Sequence, residues 1–149
     1  MLRYLTVLLV ATSVQASVTF QQAQSVWAKL CNTSGHHVSL CYDDDLNSNA
    51  YSNLSGVCIN QGLLNDIQNI DQLAMVLGHE MSHTVLKHYL TKQSKVNELA
   101  ADKLGFYYCK KLGYTKCKSF FTLMRTMYGE EGKDGVHPTW TYRLKRLTK

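Results

Sequence analysis

Two histidines four residues apart, with a glutamate directly after the first, constrain this chain more than any other feature. His79 and His83 bracket the run His-Glu-Met-Ser-His. Residues four apart on a helix lie one turn above each other on the same face, so both imidazoles can reach one metal ion. Glu80 lies outside that pair and is placed to reach a water molecule on the metal. The segment is therefore predicted to be a helix that carries a metal centre.

A catalytic zinc site needs three protein ligands and one open position. Glu98 is the predicted third ligand, because it lies in a second helical run that can pack against the first. Asp102 follows four residues later, on the same face, where it can hold a ligating histidine through its second ring nitrogen. His88 misses the position of a nearby third histidine by one residue, which is about 100° around a helix. This spacing is typical of the glutamate class of zinc peptidases, the gluzincins.

Flanking residues support a helix at this motif. The segment Ile70–Gly78 is apolar at helical spacing, and the pattern continues through Met81 and Val85. The alternative is a buried helix whose histidines bind no metal.

The first sixteen residues have the features of a secretory signal peptide. Arg3 precedes the apolar stretch Leu5–Val14, and small residues lead to a cleavage site near Ala16. A membrane span takes roughly 20 apolar residues, so an uncleaved anchor is the weaker alternative. We expect residues 1–16 to be removed and residues 17–149 to form one metallopeptidase domain. The mature chain is expected to be exported, periplasmic or secreted, without stable membrane insertion.

Cysteine content fits an oxidising compartment. The five cysteines are Cys31, Cys41, Cys58, Cys109 and Cys117. They lack Cys-x-x-Cys spacing, which makes them poor zinc ligands. Cys109 and Cys117 flank a predicted turn at Gly113, where a disulfide would join two helices. The other three can form one further bridge and leave one thiol free, or all five can be small buried hydrophobic residues.

The chain carries a net charge of +5 at pH 7. Basic residues gather around Lys87–Lys95 and in the last seven residues, which can favour anionic partners or form a solvated helix face. Aromatic residues do not interleave with them as in nucleic-acid-binding proteins. We therefore expect a polypeptide substrate and no nucleic-acid partner.

The remaining patterns predict an α+β chain that is mainly helical, with a small antiparallel sheet next to the motif helix. Predicted helices cover about residues 20–30, 70–88, 94–111, 115–129 and 139–147, and predicted strands cover 36–42 and 56–60. Asn69 or Asp71 can begin the motif helix, Ser94 the second and Thr139 the last.

An ordered set of motifs resembles the CAAX-prenyl-protease and HtpX-like family of gluzincin zinc metallopeptidases. These motifs are Asn49–Tyr51, Gly56–Leu64, Gln72–His83, Asn97–Gly105, Leu112–Tyr114 and His137-Pro138 followed by Arg143. The resemblance covers about residues 45–147. The chain corresponds to a minimal single-domain member, without the transmembrane helices or repeat modules of larger members.

This resemblance implies a zincin-like fold with one Zn²⁺ per chain. It implies His79, His83 and Glu98 as metal ligands and Glu80 as the catalytic base. It also implies a sheet-edge strand over the cleft, to which an extended peptide can add. That strand consists of Val57, Cys58, Ile59 and Asn60.

The expected activity is an exported zinc-dependent endopeptidase that hydrolyses extended or unfolded polypeptides with zinc-activated water. A second oxyanion donor is expected from His137, Tyr142 or Arg143, with His137 preferred. His137 can instead be an inhibitory fourth ligand, or can cap the last helix. The alternative functions are a zinc-containing peptide- or partner-binding module, a latent enzyme with little turnover, and a helical structural protein without metal.

Overall fold

The computed structural model describes residues 17–130 and 136–147. Its elements are α1 (Phe20–Ser34), β1 (Ser39–Asp43), β2 (Ala50–Asn53), β3 (Gly56–Asn60), α2 (Gln61–Asp66), α3 (Ile70–Val85), a short 3-10 helix (His88–Leu90), α4 (Lys95–Lys111), α5 (Ser119–Tyr128) and α6 (Trp140–Arg146). The predicted signal peptide and residues 131–135 and 148–149 lie outside the described residues.

Polar side chains begin the helices that carry the site. Asn69, Ser94 and Thr139 each accept a hydrogen bond from a backbone N–H in the first turn of α3, α4 and α6. These bonds satisfy donors that have no partner within the helix. The starting residues of these three helices are therefore encoded locally, as the sequence predicts.

The motif helix is shorter than predicted. α3 ends at Val85, and Lys87 adopts a left-handed conformation with φ 55°. This turn redirects the chain into the 3-10 helix that starts at His88. His88 consequently leaves the helical path that the spacing argument assumed.

The sheet in the described part of the chain has three strands in the order β1-β3-β2. β2 and β3 form an antiparallel hairpin, whereas β1 and β3 run parallel. The sheet is therefore mixed, and the prediction of an antiparallel sheet is wrong. The alternation of apolar and polar residues indicates which face of a strand is buried, but it does not indicate whether the neighbouring strand runs parallel or antiparallel. The sequence patterns also do not predict β2.

One disulfide joins neighbouring parallel strands, between Cys41 of β1 and its register partner Cys58 of β3. Cys31, Cys109 and Cys117 are free and buried. The predicted bridge between Cys109 and Cys117 is therefore not formed. Their side chains hydrogen-bond to each other, and this contact together with burial raises the pKa of the Cys109 thiol.

α3 is the central element of the core. It packs against α1, α4, α5 and β2, and Leu73, Leu77 and Met81 are fully buried on it. A helix surrounded in this way is apolar on most of its circumference. Each such side chain contributes about 1.5–3 kcal/mol by its burial. The helix that carries His79 and His83 is therefore held in place from several sides.

α3 and α4 cross where each helix has a glycine. A Cβ added to Gly105 would lie 2.7 Å from the backbone nitrogen of His79 and 2.8 Å from the carbonyl carbon of Gly78. Backbone atoms cannot move aside as the end of a side chain can. The absence of a side chain at Gly105 therefore lets α4 approach α3 closely enough to bring Glu98 to the histidines.

The architecture, mostly helical with a small sheet, is compatible with the predicted α+β class, and the zincin-like assignment stays a prediction. Across residues 17–130 and 136–147, none of the helices combines the length and apolar character needed to cross a membrane.

Candidate metal centre and cleft

Three side chains from two helices converge on one point. His79 and His83 of α3 place their Nε2 atoms 3.0 Å apart. Glu98 of α4 lies 3.3 Å from His83 Nε2 through Oε1 and 3.4 Å from His79 Nε2 through Oε2. His79 and Glu98 are buried and the side chain of His83 is 12% exposed, and the three residues form a group that can hold a metal ion.

The spacing of these atoms fits a tetrahedral zinc ion. Ligand atoms at zinc distances of about 2.0–2.1 Å and tetrahedral angles lie about 3.3 Å from one another. The two imidazole nitrogens are 3.0 Å apart, and each lies 3.3 or 3.4 Å from a different oxygen of Glu98, so the separations are close to that value. Glu98 Oε2 is buried and makes no hydrogen bond within the described residues. A buried carboxylate oxygen without a hydrogen bond is costly, and a cation at this point would satisfy it.

Asp102 and Arg143 hold His79 from behind. Asp102 Oδ1 lies 3.0 Å from His79 Nδ1, so the opposite ring nitrogen is directed at the ligand cluster. Arg143 donates to both carboxylate oxygens of Asp102 at 2.7 and 2.6 Å. This arrangement fixes the ring orientation and leaves Nε2 available as an acceptor for a metal.

Electrostatics in the cluster favour charged carboxylates. Burial opposes ionisation of Glu98 and Asp102. The neighbouring imidazoles outweigh that effect and hold the pKa of Glu98 well below its usual range, and Arg143 lowers the pKa of Asp102. Burial by itself lowers the pKa of His79, but the hydrogen bond to Asp102 and the nearby carboxylate of Glu98 outweigh it and raise that pKa to about 9 in the metal-free protein. Glu98 and Asp102 are therefore ionised, and a metal ion that binds at the cluster takes the place of the proton on His79.

Glu80 lies beside the ligands without being one of them. Its side chain is buried and lines the cavity next to His79 and Glu98. Burial raises the pKa of Glu80 to about 7, with the charge of His79 and a hydrogen bond from Ser52 among the opposing effects. A carboxylate with a pKa near neutrality can take a proton and return it, as general base catalysis requires.

The three candidate oxyanion donors occupy different places. His137 Nε2 lies 3.4 Å from Glu98 Oε2, and His137 lines the cavity. Arg143 also lines the cavity, but its bonds to Asp102 favour a holding role over donation to a substrate. Tyr142 is 42% exposed, and its hydroxyl accepts hydrogen bonds from Arg146 on the outer face of α6. The structure thus brings His137 to the metal cluster and leaves Tyr142 on the surface.

The predicted substrate-edge strand is wrong in position. Val57, Cys58, Ile59 and Asn60 belong to β3, which is the central strand and is buried at every residue. Its two edges are already paired with β1 and β2. β2 is the edge strand beside α3, and Ser52 of β2 contacts Glu80. A short polar strand such as β2 gives little periodic signal, which is why the sequence patterns favour the apolar strand instead.

His88 is not one of the three candidate ligands, but it contacts one of them. Its Nδ1 lies 2.9 Å from Nδ1 of His83, on the side of that ring opposite the cluster. The left-handed turn at Lys87 returns the chain toward α3 and makes this contact possible. Non-glycine residues seldom adopt this conformation, and lysine gives no sequence signal for it.

Comparison with known proteins also indicates a metallopeptidase. The sequence profile of peptidase family M48 matches residues 17–97, just over half of the 149-residue chain. The chain belongs to peptidase family M48. Members of this family are metal-dependent peptidases. The match includes His79, Glu80 and His83 and ends one residue before Glu98, so the geometry brings the third ligand to the family's motif.

A curated relative of this M48 chain is the mitochondrial metalloendopeptidase OMA1 of Bos taurus. The two are 47% identical over 47 residues, which is 32% of this chain and 9% of the relative. The matched segment therefore spans far less than two thirds of the relative's length. The narrower resemblance to the CAAX-prenyl-protease and HtpX-like members stays a prediction.

Proposed function

We propose that this chain is a zinc-dependent endopeptidase that acts on extended or unfolded polypeptides. The observation that carries the proposal is the convergence of two imidazole nitrogens and one carboxylate within 3.0–3.4 Å, beside a second buried carboxylate that is not a ligand. A metal-binding protein without catalysis has no need of Glu80. Membership in peptidase family M48 supports the same reaction class.

In the proposed mechanism, His79, His83 and Glu98 hold the zinc ion. When bound, zinc supplies an acidified water molecule and polarises the scissile carbonyl. Glu80 accepts the proton of the attacking water and later delivers it to the leaving amine. Asp102 keeps His79 oriented, and Arg143 keeps Asp102 ionised. His137 is the candidate donor to the developing oxyanion.

A polypeptide substrate would lie along β2. In the described part of the chain β2 is paired with β3 alone, so its outer edge can accept an extended segment. Ala50 and Ser52 are the half-buried residues of this strand, and Tyr51 and Asn53 are exposed. The inward positions meet the cavity and Glu80. Export after cleavage near Ala16 is part of the proposal and rests on the sequence of residues 1–16.

Zinc content and cleavage of an unfolded casein-like protein, measured for wild type and Glu98→Ala, test the proposal. We expect one zinc ion per wild-type chain with cleavage, and loss of both in the variant. Asp44→Ala is the matched control, because Asp44 is an exposed carboxylate outside the cluster. Zinc retained by Glu98→Ala at wild-type affinity would contradict the ligand assignment.

A second candidate function is a latent enzyme or a zinc-containing peptide-binding module. The position of His137 supports this second function, because His137 Nε2 lies 3.4 Å from Glu98 Oε2. A histidine at this place can also occupy the open coordination position of the metal. His137→Ala separates the roles. Greatly reduced turnover indicates the oxyanion role, increased turnover indicates an inhibitory ligand, and unchanged turnover indicates a structural residue.

A further inference from the structure

A cavity of about 290 Å³ opens beside Glu80 and has two chemically different walls. The polar wall is the metal cluster with His137 and Arg143. Apolar lining residues form the other wall, namely Leu63, Val76, Phe120, Met124 and Trp140, and Ser48, Asn49, Ala50 and Tyr128 also line the cavity. The proposed chemistry uses the polar wall, and the apolar wall has no part in it.

The apolar wall is built from four helices, with Trp140 contributed by α6. Leu63 comes from α2, Val76 from α3, and Phe120 and Met124 from α5, and all four are at most 6% exposed. Their positions are fixed by the core cluster to which they belong. Preformed pockets lined by apolar side chains with a few polar groups are typical binding sites for apolar groups.

Aromatic contacts hold the wall together. The rings of Phe120 and Trp140 meet edge to face, with centroids 6.1 Å apart. Arg143 lies over the Trp140 ring at 4.8 Å while it binds Asp102. The wall and the support of His79 therefore share α6, which fixes the cavity relative to the metal ligands.

The course of β2 directs a substrate side chain into this cavity. Ala50 lines the cavity, and Ser52, on the same face of the strand, reaches Glu80. Successive side chains of an extended peptide point to opposite sides. A peptide paired with the outer edge of β2 would therefore carry its scissile bond past Glu80 and turn one adjacent side chain toward the apolar wall.

We propose that the cavity binds one bulky apolar side chain, such as Phe, Leu, Met or Tyr, next to the bond that is cut. The substrate class is then extended segments that expose a large apolar residue, as unfolded proteins do. This inference rests on the proposed peptidase function.

Met124 offers a direct way to change the size of the pocket. It lines the cavity from α5, and α5 carries none of the three candidate metal ligands. Met124→Trp reduces the space, and Met124→Ala enlarges it. Met127→Ala is the matched control, because Met127 lies on the same helix and is 43% exposed.

The experiment compares kcat/KM for short peptides of Ala, Ser and Gly that differ at one central position, with cleavage products identified by mass spectrometry. Wild type and Met127→Ala are expected to prefer central Phe or Leu over Ala by at least about tenfold, as the burial of a large side chain allows. Met124→Trp is expected to reverse or remove this preference. Cleavage with the same preference in all three enzymes would overturn the pocket assignment and leave the peptidase function standing.

Binding provides a readout that does not need turnover. Zinc-loaded Glu80→Gln is titrated with the same peptides, and the fluorescence of Trp140 is followed. The second tryptophan, Trp27, is buried on α1 and provides a constant background, and Trp140→Phe identifies the signal. Tighter binding of Phe peptides than of Ala peptides supports the pocket even if no cleavage is detected. Equal affinity for both would overturn it.

Discussion

Asp102 and Arg143 form a buried ion pair in which the guanidinium donates hydrogen bonds of 2.7 and 2.6 Å to the two carboxylate oxygens. The pair connects α4 to α6 and lies directly behind His79. Its members are 1% and 3% exposed. Arg143 also lies 3.7 Å from Glu98 Oε2, so charged contacts to two residues of α4 link the last described helix to the metal centre.

Loss of one member of this pair should be more harmful than loss of both. Arg143→Met leaves the Asp102 carboxylate buried without its cation, and we expect the free energy of unfolding to fall by about 3–5 kcal/mol. Arg143→Met combined with Asp102→Asn should recover part of that loss, because no uncompensated charge remains. Thermal and denaturant unfolding measure the difference. Arg146→Met, an exposed residue on the same helix, is the control, and equal destabilisation by Arg146→Met would contradict the account.

The contact between α3 and α4 predicts a second sensitive position. Gly105→Ala raises helix propensity by about 0.8–1 kcal/mol, but the added Cβ would lie 2.7 Å from the backbone of His79. Overpacking of this kind costs about 1–3 kcal/mol. We expect a net loss of stability together with weaker zinc binding, because the helices separate at the ligands. Zinc titration and thermal unfolding test this.

Lys103→Ala is the control for Gly105→Ala, since Lys103 is exposed on α4 and the change also favours helix. It should leave zinc affinity unchanged. Wild-type zinc affinity in Gly105→Ala would show that the close crossing is not required to bring Glu98 to the histidines.

His88 should tune zinc affinity through His83. Its Nδ1 contacts the ring nitrogen of His83 that faces away from the metal cluster. Residues that orient a ligand in this way typically change metal affinity by about 10–100-fold when removed. We expect His88→Ala to weaken zinc binding and His88→Gln, which keeps a hydrogen-bonding group, to restore part of the affinity. Competition with a chelator measures both.

His37→Ala controls for His88→Ala, because His37 is an exposed histidine distant in sequence from the cluster. Equal zinc affinity in His88→Ala and His37→Ala would mean that the contact with His83 has no role in metal binding.

Zinc binding should also weaken as the pH falls. Protons compete with zinc for the ring nitrogens of His79 and His83, and affinity falls by about tenfold per pH unit for each proton that zinc must displace. We expect loss of zinc at about pH 4, measured by equilibrium dialysis. Circular dichroism at each pH separates this effect from unfolding. Stoichiometric zinc retained at that pH would argue against a site with two histidines.

Local features of the fold were predictable, and features that depend on distant contacts were not. Asn69, Ser94 and Thr139 begin helices because their side chains accept a hydrogen bond from the backbone N–H three residues ahead. The ligand spacing of His79 and His83 follows from helical geometry alone. These signals lie within a few residues of each other, so the sequence exposes them directly.

The errors share one physical cause. The direction of β1, the central place of β3 and the contact between His88 and His83 are fixed by packing between segments far apart in the chain or by an uncommon turn. Arg143 shows the same limit, since its partner Asp102 lies 41 residues away. A sequence pattern indicates that such a residue can form an ion pair or a hydrogen bond, but it does not identify the partner.

Glu80→Gln tests the central claim most directly. The change removes the carboxylate that accepts a proton, while it preserves size and leaves the ligands His79, His83 and Glu98 intact. Zinc content and cleavage of an unfolded casein-like protein are measured on wild type and variant side by side. We predict one zinc ion per chain in both and cleavage by wild type alone. Cleavage by Glu80→Gln at the wild-type rate, or a wild-type protein without zinc, would contradict the account.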